Sequence, residues 1–294
     1  MVPTLTLRDL TRAARGHGCR VGLVGDYAQM GSPEAGGLLR DLAALPSAVK
    51  LTAVRRFTET WERSASIDIQ QRDHTTAINY LEHGRILETT SDCAHTDAAE
   101  AWFADHQSGL DSLVVTDTNH DAADVSASCQ QLLHRAGLLG NDVGHGADRN
   151  TLRVGDQIQT RRNTSELATS DGRRVLNRDV WTITGQQADG TIIAEHSSRN
   201  AHVFITSDFR TKHTVLAYAT TIAGAQGRTV DTGHAVITPR TTAASLYVAM
   251  TRGRVRNQAH VITDGHDHDE LQLGHRSGLR AFADAILRNP EGDT

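Results

Sequence analysis

Four short segments of this 294-residue chain carry side chains suited to phosphate chemistry. The first, Gly25-Asp26-Tyr27-Ala28-Gln29, follows the apolar run CRVGLV at residues 19–24. In open parallel sheets ligands sit beyond the carboxyl ends of strands, which puts Asp26 and Gln29 at such a crevice. A carboxamide donates to a phosphate oxygen and accepts from an attacking water, as a γ-phosphate sensor must. The same residues also suit an ordinary strand-to-loop turn. The second segment is Val54-Arg55-Arg56-Phe57, where guanidinium forks can hold phosphate oxygens and stay charged. Taken alone, it reads more simply as two solvated surface arginines.

The third segment, residues 219–229 (ATTIAGAQGRT), places small residues and Gln226-Gly227 after a strand, so that backbone can approach a phosphodiester or nucleotide closely. The fourth, residues 246–254 (LYVAMTRGR), aligns Tyr247, Met250 and Arg254 on one helical side. It sets Arg252 at the helix end, within reach of a nucleotide held by a neighbouring domain. An arginine there also favours the helix dipole without any ligand.

One signature is missing. A phosphate-cradling loop needs Gly-Lys-Ser/Thr, and the two lysines, Lys50 in AVKL and Lys212 in RTKH, both lie outside such a pattern. The remaining basic residues are arginines, and the formal charge of −5 excludes a uniformly basic nucleic-acid-coating protein. Local basic grooves remain open, because steering depends on where charge sits. Cys19, Cys93 and Cys129 lack metal-type spacing. Scattered histidines read as surface residues. The tail DGHDHDE at residues 264–270 reads as a solvated loop, so no metal site is assigned. The sequence holds no apolar run of membrane-spanning length and no signal-type opening. The expectation is a cytoplasmic protein with no membrane partner.

Elements that position these residues follow from periodicity. Helices are expected at residues 4–15, at 38–45 up to Pro46, at 59–71, around 77–81, through Trp102 and Phe103, from 121 to 138, at 242–250 and at 279–287. Strands are expected at 19–24, 49–54, 112–116 and within VLAYATT, HAVIT and AHVIT. Alternating strands and helices indicate an α/β fold with a parallel sheet covered on both faces. From Leu152 to Thr206 the texture becomes short alternating segments with a hairpin turn at 188–190, a small β-barrel inserted in the α/β fold. Between Arg149 and Trp181 it holds seven arginines against four acidic residues. Trp181 is a candidate base-stacking residue for single-stranded DNA.

The order of the four segments carries a resemblance. VGDYAQMGSPEAGG resembles motif III, AVRRF motif IV, YATTIAGAQGRTVD motif V and LYVAMTRGR motif VI of superfamily 1 helicases. The helicase modules of TraA/TrwC-type (MobF) conjugative relaxases, which are RecD-like, are the similar family. VGDQIQTRRN and VLNRDVWTI resemble the SH3-like insertion of that family. The resemblance implies a RecA-like P-loop NTPase helicase fold: part of a first domain at 1–48, a complete second one at 49–148 and 207–294, and the inserted barrel at 149–206. It implies 5′-to-3′ translocation on single-stranded DNA, driven by ATP with Mg²⁺.

Gln29 would then be the sensor, Arg56 the motif IV arginine and Arg252 the arginine finger. Gly25, Asp26 and Gly227 would join them around the nucleotide. Thr221, Gln226 and Thr229 would couple that cleft to DNA. Two letters depart from the family: Phe57 stands where glutamine is common, and Gly224 where many relatives have lysine. The resemblance also implies that the Walker A and B segments precede Met1. That fits a truncated gene, a misplaced start, or one half of a motor whose other half is encoded upstream. The chain alone is expected to bind no ATP–Mg²⁺ and to hydrolyse none. A non-catalytic DNA-binding or protein-interaction remnant is the alternative.

Overall fold

The computed structural model describes residues 4–29, 38–51, 54–263 and 274–289. In chain order, α1 spans Thr4–Gly16, α2 Leu38–Ala43, α3 Thr60–Gln71 and α4 Ala77–Glu82. Then come β1 Ile86–Thr89, α5 Ala94–Gln107, β2 Ser112–Thr116 and α6 Asn119–Arg135. Short strands follow: β3 Asp142–His145, β4 Thr151–Arg153, β5 Gln157–Thr160, β6 Thr164–Ala168, β7 Arg174–Val175, β8 Val180–Gln186, β9 Ile192–His196 and β10 His202–Ile205. The chain continues through α7 Ser207–His213, β11 Thr214–Leu216, β12 Ala219–Thr221, α8 Ile222–Ala225, β13 Val230–Ile237, α9 Ala243–Ala249, β14 Gly253–Ile262 and α10 Gly274–Leu287.

The fold is α/β, with a five-stranded parallel sheet in the order β1-β14-β13-β2-β12. Its strands are apolar on both faces, as strands covered by helices must be. Leu113, Val115, Ala235, Ile237, Ala259 and Val261 pack on one face in a cluster with Leu246 of α9 and Phe282 of α10. Val114 and Val236 face the other way, against Ala98 and Trp102 of α5 and Val125 and Cys129 of α6. The helices start where side-chain caps satisfy free backbone N–H groups: Thr118 for α6, Thr206 for α7 and Thr242 for α9.

The second sheet is antiparallel, in the order β10-β9-β8-β5-β11. The expected single strand VLAYATT is cut at Ala217-Tyr218. Its first half, β11, pairs antiparallel with β5, and its second half, β12, pairs parallel with β2. The antiparallel sheet thus takes in β11, beyond the expected boundary at residue 206. One continuous apolar cluster joins Trp181, Ile158 and Val203 of this sheet to Cys129 and Leu133 of α6. The buried Asp156 carboxylate reinforces the joint, accepting from Tyr218 OH at 2.7 Å and Gln130 Nε2 at 2.5 Å. Burial raises the Asp156 pKa, and these donors oppose that rise.

Two expected strands do not form. Residues 19–24 and the described part of 49–54 have no regular secondary structure, and Val24, Val49 and Leu51 are nine-tenths or more exposed. Strand backbone needs a neighbouring ladder for its N–H and C=O groups, and no neighbouring strand reaches either run among the described residues. Among the described residues no helix is long and apolar enough to cross a membrane.

Candidate functional site

The loop at residues 25–29 is drawn against the second half of the chain by its one carboxylate. Asp26 accepts from Ala28 N at 3.1 Å, Gln29 Nε2 at 3.1 Å, Tyr247 OH at 3.0 Å and Gln70 Nε2 at 3.4 Å. Gln29 then accepts from Gln226 Nε2 through its own Oε1 at 3.0 Å. Residues from four separated segments therefore meet here: 26–29, Gln70 of α3, Gln226 after α8, and Tyr247 of α9. Burial raises the Tyr247 pKa, and the Asp26 charge adds to that rise.

Arg56 and Arg252 close the same cluster from the end of α9. Arg56 Nη1 donates to the Thr251 carbonyl. Arg252 is fully buried, donating to Val248 O at 2.7 Å, to Ala225 O and Arg228 O at 3.2 Å each, and to Thr251 Oγ1 at 2.8 Å. Burial, with Arg56 nearby, lowers its pKa to about 10. Gln29, Arg56 and Arg252 thus converge on one patch, joined through Gln226 and Thr251. The guanidinium of Arg252 is nevertheless spent on protein acceptors, so in this conformation it stitches α8 to α9 and does not project outward.

A second layer fixes the backbone beneath Arg252. Buried Asn257 accepts from Gly253 N at 2.7 Å and donates to Glu62 Oε1 at 2.8 Å. A Cβ on Gly253 would lie 2.2 Å from Arg256 O, so glycine is required there. Burial raises the Glu62 pKa, with the Asn257 amide opposing it. The helix after Arg56 and the turn after Arg252 are therefore clamped together.

The remaining candidates are less uniform. Thr221 caps α8, its Oγ1 accepting from Gly224 N at 3.1 Å. Gly224 is packed so that a Cβ would meet Thr220 Oγ1 at 2.3 Å, which leaves no room for the lysine common in relatives. Phe57 is buried and packs in place of a polar residue. Gly227, at φ +88°, and Thr229 are exposed on the turn into β13, away from the described contacts of Asp26. Gly25 lies against Leu39, where a Cβ would come within 2.7 Å of its Cδ2. Trp181 is a correction: it is wholly buried beneath β8, edge-on to His196, and cannot stack on a base. Alternation along VWTITG points it inward, which the reading of an exposed aromatic overlooked.

A cleft of about 370 Å³ opens beside the cluster, lined by Tyr27, Ala28, Gln70, Arg72, Ala244 and Tyr247. Gln70 and Thr251 were not singled out from the sequence. Gln70 lies in no motif-like segment, while Thr251 stands beside Arg252 in the fourth segment. Two histidines also depart from the expected surface placement: His234 and His260 are buried below the sheet, with His234 Nε2 2.9 Å from Asp105 Oδ2. No group of three or more His, Cys, Asp or Glu among the described residues could hold a metal ion. The tail at 264–270 lies outside the described residues.

A family model described as an AAA domain matches residues 1–91. The conjugal transfer protein TraA of Rhizobium radiobacter is 27% identical over 86% of this chain, and that of Agrobacterium fabrum is 25% identical over 96%. The chain spans 23% and 24% of the length of these two relatives. Among solved structures, a Pif1 helicase from Bacteroides in complex with ADP-AlF3 and single-stranded DNA is similar at TM-score 0.53. The likeness covers 97% of this chain and 73% of that one at 16% identity. A Pif1 helicase from Candida albicans is similar at TM-score 0.52, over 89% of this chain and 70% of that one at 12% identity. These likenesses accord with a RecA-like fold.

Proposed function

From the premise that the chain carries a TraA-type superfamily 1 helicase module, we propose that it forms the nucleotide-sensing and DNA-coupling wall of an ATP-driven DNA motor in a conjugative relaxase. One observation carries the reading: Gln29 and Gln226 are hydrogen-bonded at 3.0 Å, while Asp26 of the same loop is tied to Tyr247. A side chain that senses a γ-phosphate is thereby in direct contact with the segment that would hold single-stranded DNA. Gly25 and Gly227 would give the nucleotide backbone approach, and Thr221 and Thr229 would line the DNA path. The antiparallel sheet, with its β3–β4 and β6–β7 hairpins, is proposed as the SH3-like insertion.

In the motor, ATP would lie between this wall and a phosphate loop carried by another segment, and arginine charge would offset charge on the γ-phosphate. Such arginines contribute on the order of 10³–10⁵ in rate. Arg56, half-buried with one carbonyl partner, is the better placed of the two. Arg252 must leave four acceptors to do the same. Magnesium finds no ligand set here, because both Asp26 oxygens are taken up by donors of this chain. The expected acids of the phosphate-loop segment would hold it.

The buried state of Arg252 favours a second reading, a non-catalytic module that grips single-stranded DNA. ATP turnover separates the two. The purified chain is mixed with a phosphate-loop-bearing segment of a TraA relative, with and without oligonucleotide. DNA-stimulated turnover lost in Arg56→Ala and uncoupled from DNA in Gln226→Ala supports the motor. Oligonucleotide binding with no turnover in the mixture supports the second reading. Turnover by the 294-residue chain alone, abolished in Arg252→Ala, overturns the assignment of the phosphate loop to another segment.

A further inference from the structure

Away from the Arg56–Arg252 patch, the carboxyl edge of the parallel sheet is overlain by two guanidinium groups with no acidic partner among the described residues. β2 and β12 are neighbours, and their carboxyl ends lead into Thr118-Asn119 at the start of α6 and into α8. Ligands of open α/β sheets gather at such edges. Over this edge the antiparallel sheet sets Arg161, just past β5, and Arg178, in the turn before β8. Arg161 Nη2 donates to Asn119 Oδ1 at 3.0 Å, and Arg178 Nη1 donates to Ala223 O at 2.7 Å.

Both arginines are anchored through their backbone: Arg161 N donates to His213 O at 2.8 Å and Arg178 N to Thr160 O at 2.6 Å. Arg178 also holds a left-handed φ of +75°, which a non-glycine residue adopts only when its surroundings impose it. Every acceptor holding the two side chains is neutral. Asp179, beside Arg178, is engaged with His196 and Arg199, and Asp121, close to Asn119, with Thr118 and His95. The two cations lie close enough to act on each other, Arg161 lowering the Arg178 pKa after burial. Like charges held together at a strained position, with no counter-ion among the described residues, leave an anion to complete the arrangement.

We propose that Arg161 and Arg178, with the Asn119 amide, form a phosphodiester seat that grips one backbone phosphate of single-stranded DNA independently of sequence. The proposal rests on the DNA-handling reading above and adds the residues that do the holding. The seat offers two guanidinium forks and an amide, which match phosphate oxygens. Its position against Ala223 ties the grip to the α8 segment, whose far end meets Gln29 through Gln226.

The test is fluorescence anisotropy of a labelled oligothymidylate with the full 294-residue chain over a range of salt. Each phosphate released from a single strand changes the log–log salt slope by roughly 0.7. Arg161→Gln/Arg178→Gln should flatten the slope by about that much and weaken binding several-fold at low salt, equally for oligothymidylate and oligodeoxyadenylate. The double lysine variant should keep the slope, and Arg135→Gln at the far end of α6 should leave it unchanged. Arg178→Gly, which removes the side chain and keeps the positive φ, guards against misfolding. Binding by the parent with an unaltered slope in the double glutamine variant overturns the seat and leaves the DNA reading standing. Absence of any binding at low salt overturns both. Inorganic pyrophosphate bound through these arginines while the oligonucleotide slope stays fixed assigns the seat to free phosphates and overturns the DNA assignment.

Discussion

The described residues of 4–51 and those of 54–263 are patterned alike and end differently. Both hold apolar runs flanked by amphipathic helices. In the second region such runs become β2, β13 and β14, buried along most of their length. In the first, α1 buries no residue, and 19–24 has no regular secondary structure. The difference is not in propensity. A strand is stable when neighbours take up its backbone groups, and an amphipathic helix when something covers its stripe. Among the described residues, hydrogen bonds tie the first region to the rest: Asp26 and Gln29 against Gln70, Tyr247 and Gln226.

Mutations should separate the two regions sharply. Trp181→Ala empties a fully buried site in the shared core and should cost about 3–5 kcal/mol in denaturant unfolding. Leu10→Ala in α1, half-exposed, should change stability by less than about 0.5 kcal/mol. Equal effects would erase the contrast. Next in size, Asn257→Leu strips partners from Gly253 and Glu62 and should cost about 1–3 kcal/mol in the same measurement.

Acid should act through the buried region as well. Burial, with His234 beside it, lowers the His260 pKa to about 3. An unfolded chain protonates this histidine near its ordinary value of 6.5. Between those values the unfolded state holds the extra proton, so stability falls as pH drops through the window, by at most about 1.4 kcal/mol per unit. Asp105 answers at lower pH. Burial raises its pKa, but hydrogen bonds led by His234 overcome this and hold it at about 2, so its contribution is full above about pH 4 and fades toward 2. His260→Asn should remove most of the decline between pH 6.5 and 4 in thermal unfolding followed against pH. Gln226→Ala should shift global unfolding only slightly, by about 1 kcal/mol or less, and speed hydrogen exchange at Ala28 and Gln29.

What the sequence made legible follows the same division. Strand 112–116 and helices 4–16, 60–71 and 243–249 lie close to where periodicity puts them, because each pattern is local. That Gln29 meets Gln226, and that Arg56 and Arg252 share Thr251, is by contrast set by contacts across the chain. What remained hidden depends on contacts distant in sequence. The cut at Ala217-Tyr218 exists because two different sheets compete for one apolar run. Arg252 is buried because α8 offers it carbonyls from residues 225 and 228. Trp181 shows the same limit, since a tryptophan in a short alternating strand reads as available until its position is assigned to the inside.

The apolar cluster that runs unbroken from α5 and α6 into the antiparallel sheet has a mechanical meaning. A lobe mounted this way cannot pivot on its own linkers, since any tilt would have to open a packed core and pull Tyr218 from Asp156. Force applied to a strand lying across Arg161 would pass straight into the parallel sheet as into a single lever.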